Sequence, residues 1–112
     1  MAKKPVIAID FDGVIHWFPV FKKGPPMNKP IKDALKAISF LEKDYTLVIF
    51  TARDNLMDTR VWLNKQGISK NILLTNKKPK ALYYIDDRAI EFKSWRQVIL
   101  RIYDKHRNKT KE

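Results

Sequence analysis

Four stretches of the chain are short and almost unbroken in apolar character, and between them apolar residues recur at helical spacing. Val6-Ile7-Ala8-Ile9 comes first and ends on Asp10. A run with no polar position inside it predicts a strand buried on both faces. Thr46-Leu47-Val48-Ile49-Phe50 predicts a second strand, Asn71-Ile72-Leu73-Leu74-Thr75 a short third, and Ala81-Leu82-Tyr83-Tyr84-Ile85 a fourth. Ile31, Leu35, Ile38 and Leu41, with Ala34 in the same stripe, predict a helix capped by Asn28, with Pro30 in its first turn and its end near Lys43. Asp54 or Asn55 caps a second helix running to Gln66, where Gly67 is a left-handed terminator and Ile68 packs back behind it. After Ser94, Trp95, Val98, Ile99, Ile102 and Tyr103 give the clearest amphipathic pattern in the chain. Residues 104–112 are expected to be a solvated basic tail.

Between the first strand and the first helix, Val14-Ile15-His16-Trp17-Phe18-Pro19-Val20-Phe21 runs into Lys22-Lys23-Gly24-Pro25-Pro26. Aromatics followed by strong turn signals predict a short hairpin or flap over about 14–28, projecting from the sheet, with His16 on its surface. Trp17, Phe18 and Phe21 either line a site or pack on the domain. Strands alternating with helices predict a mainly parallel central sheet covered on both faces, a Rossmann-like three-layer α/β/α sandwich. The 112 residues suit one domain, over 1–103, and 45% hydrophobic residues allow it a core without disulfides.

The absence of cysteine excludes thiolate metal sites and cysteine nucleophiles and fits a cytoplasmic setting. The N-terminal residues lack the long apolar stretch of a signal peptide, and no apolar run approaches membrane-spanning length, so no membrane partner is expected. The charge does change the picture. Lys and Arg number 23 against 12 Asp and Glu, a net +11, which points to polyanionic partners. From Arg60 to Lys80 there are six basic residues and no acid.

In a parallel sheet the carboxyl ends of the strands share one edge, where ligands bind. Asp10 and Asp12 close the first strand, Thr51 the second, Lys78 and Lys80 precede the fourth, and Asp86 and Asp87 close it. Carboxylates with no imidazole or thiolate among them suit Mg²⁺, which removes their mutual repulsion. A hydroxyl and an ammonium suit a phosphoryl group, so this rim points to phosphoryl transfer; no Gly-rich Walker loop is present.

Asp10-Phe11-Asp12-Gly13-Val14, Thr51 after an apolar strand, Lys78-Pro79 and Asp86-Asp87 resemble, in order, the four motifs of the haloacid dehalogenase-like superfamily, over essentially the whole chain. Asp12 is present as in the family's phosphatases, whereas its dehalogenases lack that residue. The resemblance implies that Asp10 is the nucleophile forming an aspartyl-phosphate. It implies that Asp12 protonates the leaving oxygen and then activates water, lending Mg²⁺ its main-chain carbonyl. Asp86 becomes the acidic metal ligand with Asp87 as its partner or as a water-mediated metal ligand, and Thr51 with Lys78 or Lys80 holds the phosphoryl oxygens. Neither the gap between Gly13 and Asn28 nor the segment after Thr51 has room for a cap domain. The site is then open, taking bulky substrates or a covering subunit in a homo-oligomer. Thr51-Ala52-Arg53, the following helix with Trp62-Leu63, and Gly67-Ile68 are similar to capless phosphatases of nucleotides or polynucleotide ends.

Arg53 is either a substrate-phosphate clamp or a solvated loop arginine, and Trp17 is a candidate substrate contact. The expected function is a Mg²⁺-dependent phosphatase. A nucleic-acid-binding or scaffolding protein that retains the fold stays open beside it, as does phosphotransfer to an acceptor other than water.

Overall fold

The computed structural model describes residues 4–17, 24–77, 79–85 and 94–111, with the side chains of 104–111 excepted. In chain order the elements are β1 (Val6–Asp10), α1 (Ala34–Leu41), β2 (Thr46–Phe50), α2 (Leu56–Lys65), β3 (Leu73–Thr75), β4 (Tyr83–Ile85) and α3 (Trp95–Lys111), with β3 and β4 following one another without a helix between them among the described residues. All pairings are parallel and the strand order is β3-β2-β1-β4. β1 is therefore hydrogen-bonded on both edges, with Ile9 in register with Ile49 on one side and Ile85 on the other. Ile7, Ala8 and Ile9 have no exposed surface. Side chains alternate between faces along a strand, so three consecutive buried residues mean that both faces of the sheet are covered. This is the Rossmann-like α/β arrangement expected from the pattern.

β1 and β2 have the predicted bounds, while β3 and β4 form over only the last three residues of their runs. α2 is built as expected. Asn55 Oδ1 accepts the Asp58 amide at 3.2 Å, and Gly67, at φ 82, ends the helix so that the Ile68 amide bonds the Leu63 carbonyl at 3.1 Å. At the start of α3 the Gln97 amide donates to Ser94 Oγ. The backbone over 104–111, expected as a solvated tail, continues α3 through Lys111. The apolar stripe ends at Tyr103, but no proline or glycine follows to stop the helix.

The segment before α1 differs from expectation. Asn28 caps nothing and Pro30 lies outside the helix, which starts at Ala34 behind Asp33. Residues 28–31 instead run antiparallel to 15–17. The Trp17 amide donates to the Lys29 carbonyl and the Ile31 amide to the Ile15 carbonyl, flanking a His16–Pro30 bridge. Pro30 sits where the ladder asks for no N–H, so its missing donor costs nothing there. The same pairing corrects the flap. Val14, Ile15 and His16 are buried, and the Trp95 indole donates to the Val14 carbonyl, so the first leg of this loop belongs to the core. Residues 18–23, including Phe18 and Phe21, lie outside the described residues. No helix among the described residues is long and apolar enough to cross a membrane.

Asp33 holds φ 67 and makes no capping hydrogen bond with its side chain. A left-handed backbone costs any residue with a Cβ, so Asp33→Gly should raise unfolding stability in urea by about 0.5–1 kcal/mol.

Tyr103 ties α3 to the turn after α1, its hydroxyl donating to Asp44 Oδ2 at 2.9 Å. Loss of hydration, then the hydrogen bond and charge of Asp44, then Tyr45, push its phenol up to about 12. The folded state holds this proton above the unfolded value of about 10. The stabilisation is therefore whole below about pH 10 and is lost as pH rises towards about 12. Urea melts across that window should show a shallower decline for Tyr103→Phe than for the wild type.

Candidate active site

The strand order reverses at β1. The chain moves from β1 outward to β2 and β3, then returns to lay β4 on the other edge. The crevice at such a reversal lies beyond the carboxyl ends of the strands. Asp10, half-buried, is the last residue of β1 and pairs in register with Phe50, so Thr51 follows one residue past the end of the adjacent strand. Asp10 Oδ1 accepts the Phe11 amide at 2.9 Å. Thr51 is buried, its amide bonds the Thr75 carbonyl, and its hydroxyl oxygen accepts the Arg53 amide at 3.1 Å. Accepting that bond leaves the hydroxyl proton to donate.

Gly13, at φ 82, turns the chain back on itself immediately after Asp12. The Phe11 carbonyl then accepts the amides of Ile15 at 2.9 Å and His16 at 3.0 Å, while Gly13 bonds the His16 carbonyl at 2.9 Å. The Asp12 carbonyl takes no part in these turn bonds. One tight loop thus brings the His16 ring over Phe11, stacked with centroids 5.2 Å apart and planes 2° from parallel. Trp62 of α2 meets both rings edge-on, at 5.3 Å from Phe11 and 5.2 Å from His16.

The Asp12 carboxylate is held from two directions. His16 Nδ1 lies 2.9 Å from Oδ1. Arg53 straddles the group, with Nε 2.8 Å from Oδ2 and one terminal nitrogen 3.0 Å from Oδ1. Its other terminal nitrogen donates to the Gly24 carbonyl at 2.8 Å, and the guanidinium carbon lies 5.8 Å from the centre of the Phe11 ring. The Asp12 and Arg53 side chains are only 22% and 16% exposed, so the pair is largely withdrawn from water and geometrically specified. Arg53, read from the sequence as a phosphate clamp or a solvated arginine, is a carboxylate clamp.

The remaining candidates stand as follows. Lys80 is exposed. The Tyr84 hydroxyl pins the backbone before β4 by donating to the Pro79 carbonyl and accepting the Ala81 amide at 3.1 Å. Trp17 is 46% exposed at the mouth of the 15–17 pairing, its carbonyl accepting the Asn28 side chain. Lys78, Asp86 and Asp87 lie outside the described residues. Among the described residues no cluster of three His, Cys, Asp or Glu side chains is placed to hold a metal ion. The donors that are described, the Asp10 carboxylate and the Asp12 carbonyl, are hard oxygens. They fit Mg²⁺, which takes few protein ligands and completes its shell with water and phosphate oxygens.

Sequence reasoning missed His16, Asn28 and Trp62 as parts of this site. His16 was expected on a flap surface but is 1% exposed. Its four-residue spacing from Asp12 across a glycine was the available signal, but that spacing acquires meaning only once the loop closes on Phe11.

No protein-family model matches the chain, and no curated protein matches it. Among solved structures it is similar to a conserved protein from Bacteroides thetaiotaomicron, with a TM-score of 0.72 and 23% identity over 92% of this chain and 93% of that one. This likeness shows the α/β fold over nearly the full length of both proteins.

Arg53→Lys keeps the charge but cannot reach both Asp12 oxygens and the Gly24 carbonyl together. We expect it to lower stability in urea by about 1–2 kcal/mol, as the loss of charge-assisted hydrogen bonds from a partly buried group.

Proposed function

We propose that this chain is a magnesium-dependent phosphatase of the haloacid dehalogenase-like type, working through an aspartyl-phosphate. The observation that carries the reading is the placement of Asp10 at the reversal of the strand order, one strand away from buried Thr51 and ahead of a firmly held Asp12. Asp10 supplies the nucleophilic oxygen. It attacks phosphorus, the bond from phosphorus to the ester oxygen breaks, and that oxygen takes the proton carried by Asp12. Water then attacks the phosphoryl group and gives a proton to Asp12, the bond from phosphorus to Asp10 breaks, and inorganic phosphate leaves. The Asp12 carboxylate gripped by Arg53 and His16 is the form that serves as base in this second step. The Thr51 hydroxyl donates to a phosphoryl oxygen, and a lysine of the loop before β4 supplies positive charge.

Mg²⁺ would be held by the Asp10 carboxylate and the Asp12 carbonyl, with Asp86 as the further acid, and would supply neutralisation of phosphoryl charge. The net charge of +11 and the exposed Trp17 favour phosphate esters of nucleotides or nucleic acids, since an indole face can stack on a base.

With an aryl phosphate and Mg²⁺, we expect turnover that chelation abolishes and that Asp10→Asn reduces to background. Asp12→Asn should lower kcat by about 10²–10⁴-fold. Activity that survives Asp10→Asn would overturn the mechanism. Preference for sugar phosphates over nucleotides and oligonucleotide ends would overturn the substrate class.

A further inference from the structure

We propose that His16 is a positioning residue for Asp12 in the acid–base steps, an inference that rests on the phosphatase reading above. Both ring nitrogens have assigned partners. Nε2 lies 3.1 Å from the Asn28 backbone nitrogen, which can only donate, so Nε2 is the acceptor. The ring proton is then on Nδ1 and points at Asp12 Oδ1, 2.9 Å away. The ring cannot swing: it is 1% exposed, stacked on Phe11 and met edge-on by Trp62. Trp62 in turn donates its indole N–H to the Asn28 carbonyl at 2.8 Å, so one residue, Asn28, is fixed by the same two rings that flank the site.

Arg53 also grips Asp12, but from a long side chain that is itself anchored on the Gly24 loop. His16 is the contact anchored in the core, and by holding Oδ1, which also accepts Arg53, it orients the carboxylate so that the proton is exchanged at Oδ2, the oxygen with a lone pair to spare. A histidine serving only to fill the core needs neither a particular tautomer nor a carboxylate opposite its proton. The 24–28 segment thereby reaches the acid–base group along two separate routes, Gly24 through Arg53 and Asn28 through His16.

The test compares His16→Asn with His16→Gln. Both remove the stacked ring, but the asparagine amide places an N–H where Nδ1 was, and the glutamine amide places it beyond, near Nε2. The readout is kcat/KM for an alkyl phosphate, whose leaving oxygen needs a proton, against that for 2,4-dinitrophenyl phosphate, whose leaving oxygen does not. In His16→Gln the alkyl ester should lose at least about tenfold more than the dinitrophenyl ester. His16→Asn should keep the ratio of the two within about threefold of wild type. Equal losses on both esters in both variants would make His16 structural and overturn the inference, while leaving the phosphatase reading intact. A wild-type protein inactive on either ester with Mg²⁺ overturns both. Should His16→Gln not fold, ¹⁵N spectra of the wild-type imidazole decide instead. A protonated Nδ1 supports the assignment, and a protonated Nε2 overturns it.

Discussion

A carboxylate set just past the end of a buried strand has to be answered by donors, and the answer to Asp12 organises much of this molecule. Three hydrogen bonds converge on it, two from Arg53 and one from His16. To deliver them, the chain turns at Gly13, carries His16 back over Phe11, and brings Arg53 in from the loop between β2 and α2. The partners of those partners extend the constraint. The Gly24 carbonyl accepts Arg53, the Asn28 amide donates to His16, and the Trp62 indole of α2 donates to the Asn28 carbonyl. A group this poorly hydrated is costly when partly satisfied, so the network is ordered as a unit rather than bond by bond.

The sheet makes this possible by its order. Placing β1 between β2 and β4 buries Ile7, Ala8 and Ile9 and leaves only the two ends of the strand partly exposed, with the crevice beyond the carboxyl one. Asp10 occupies that end. Thr51, one strand away, is held by its own backbone pairing and by the Arg53 amide, so its hydroxyl, the phosphate contact in the proposed mechanism, is set by the same arginine that grips Asp12. Nucleophile, phosphate-binding hydroxyl and acid–base group in the proposed mechanism are thus positioned by backbone ladders and, for the last two, by one residue, Arg53, through its amide and its side chain, which limits how far they can drift.

Long, strongly patterned elements were legible from the residues themselves. β1, β2, the cap and terminator of α2, and the amphipathic face of α3 follow from local periodicity and end signals that tertiary structure had no reason to override. The placement of Asp10, Asp12 and Thr51 at one edge follows from parallel topology. The stretch from Val14 to Pro30 was read less well, because its structure depends on pairing between residues more than ten positions apart. Asn28 looks like a cap and Pro30 like a first helical residue, yet the free backbone groups of 15–17 claim that segment first.

The sequence by itself determined the alternation of strands and helices, the two-sided burial of β1, and which residue types gather at the carboxyl edge. Each of these rests on short-range periodicity and on a topology that parallel strands impose. Only the tertiary structure decided what Asp12 touches. Whether Arg53 meets a ligand or a carboxylate, and whether His16 lies on the surface or beneath Trp62, depends on loop closure over Phe11. That closure is settled by packing and by the need to satisfy buried polar groups, and neither leaves a repeat in the sequence to be read.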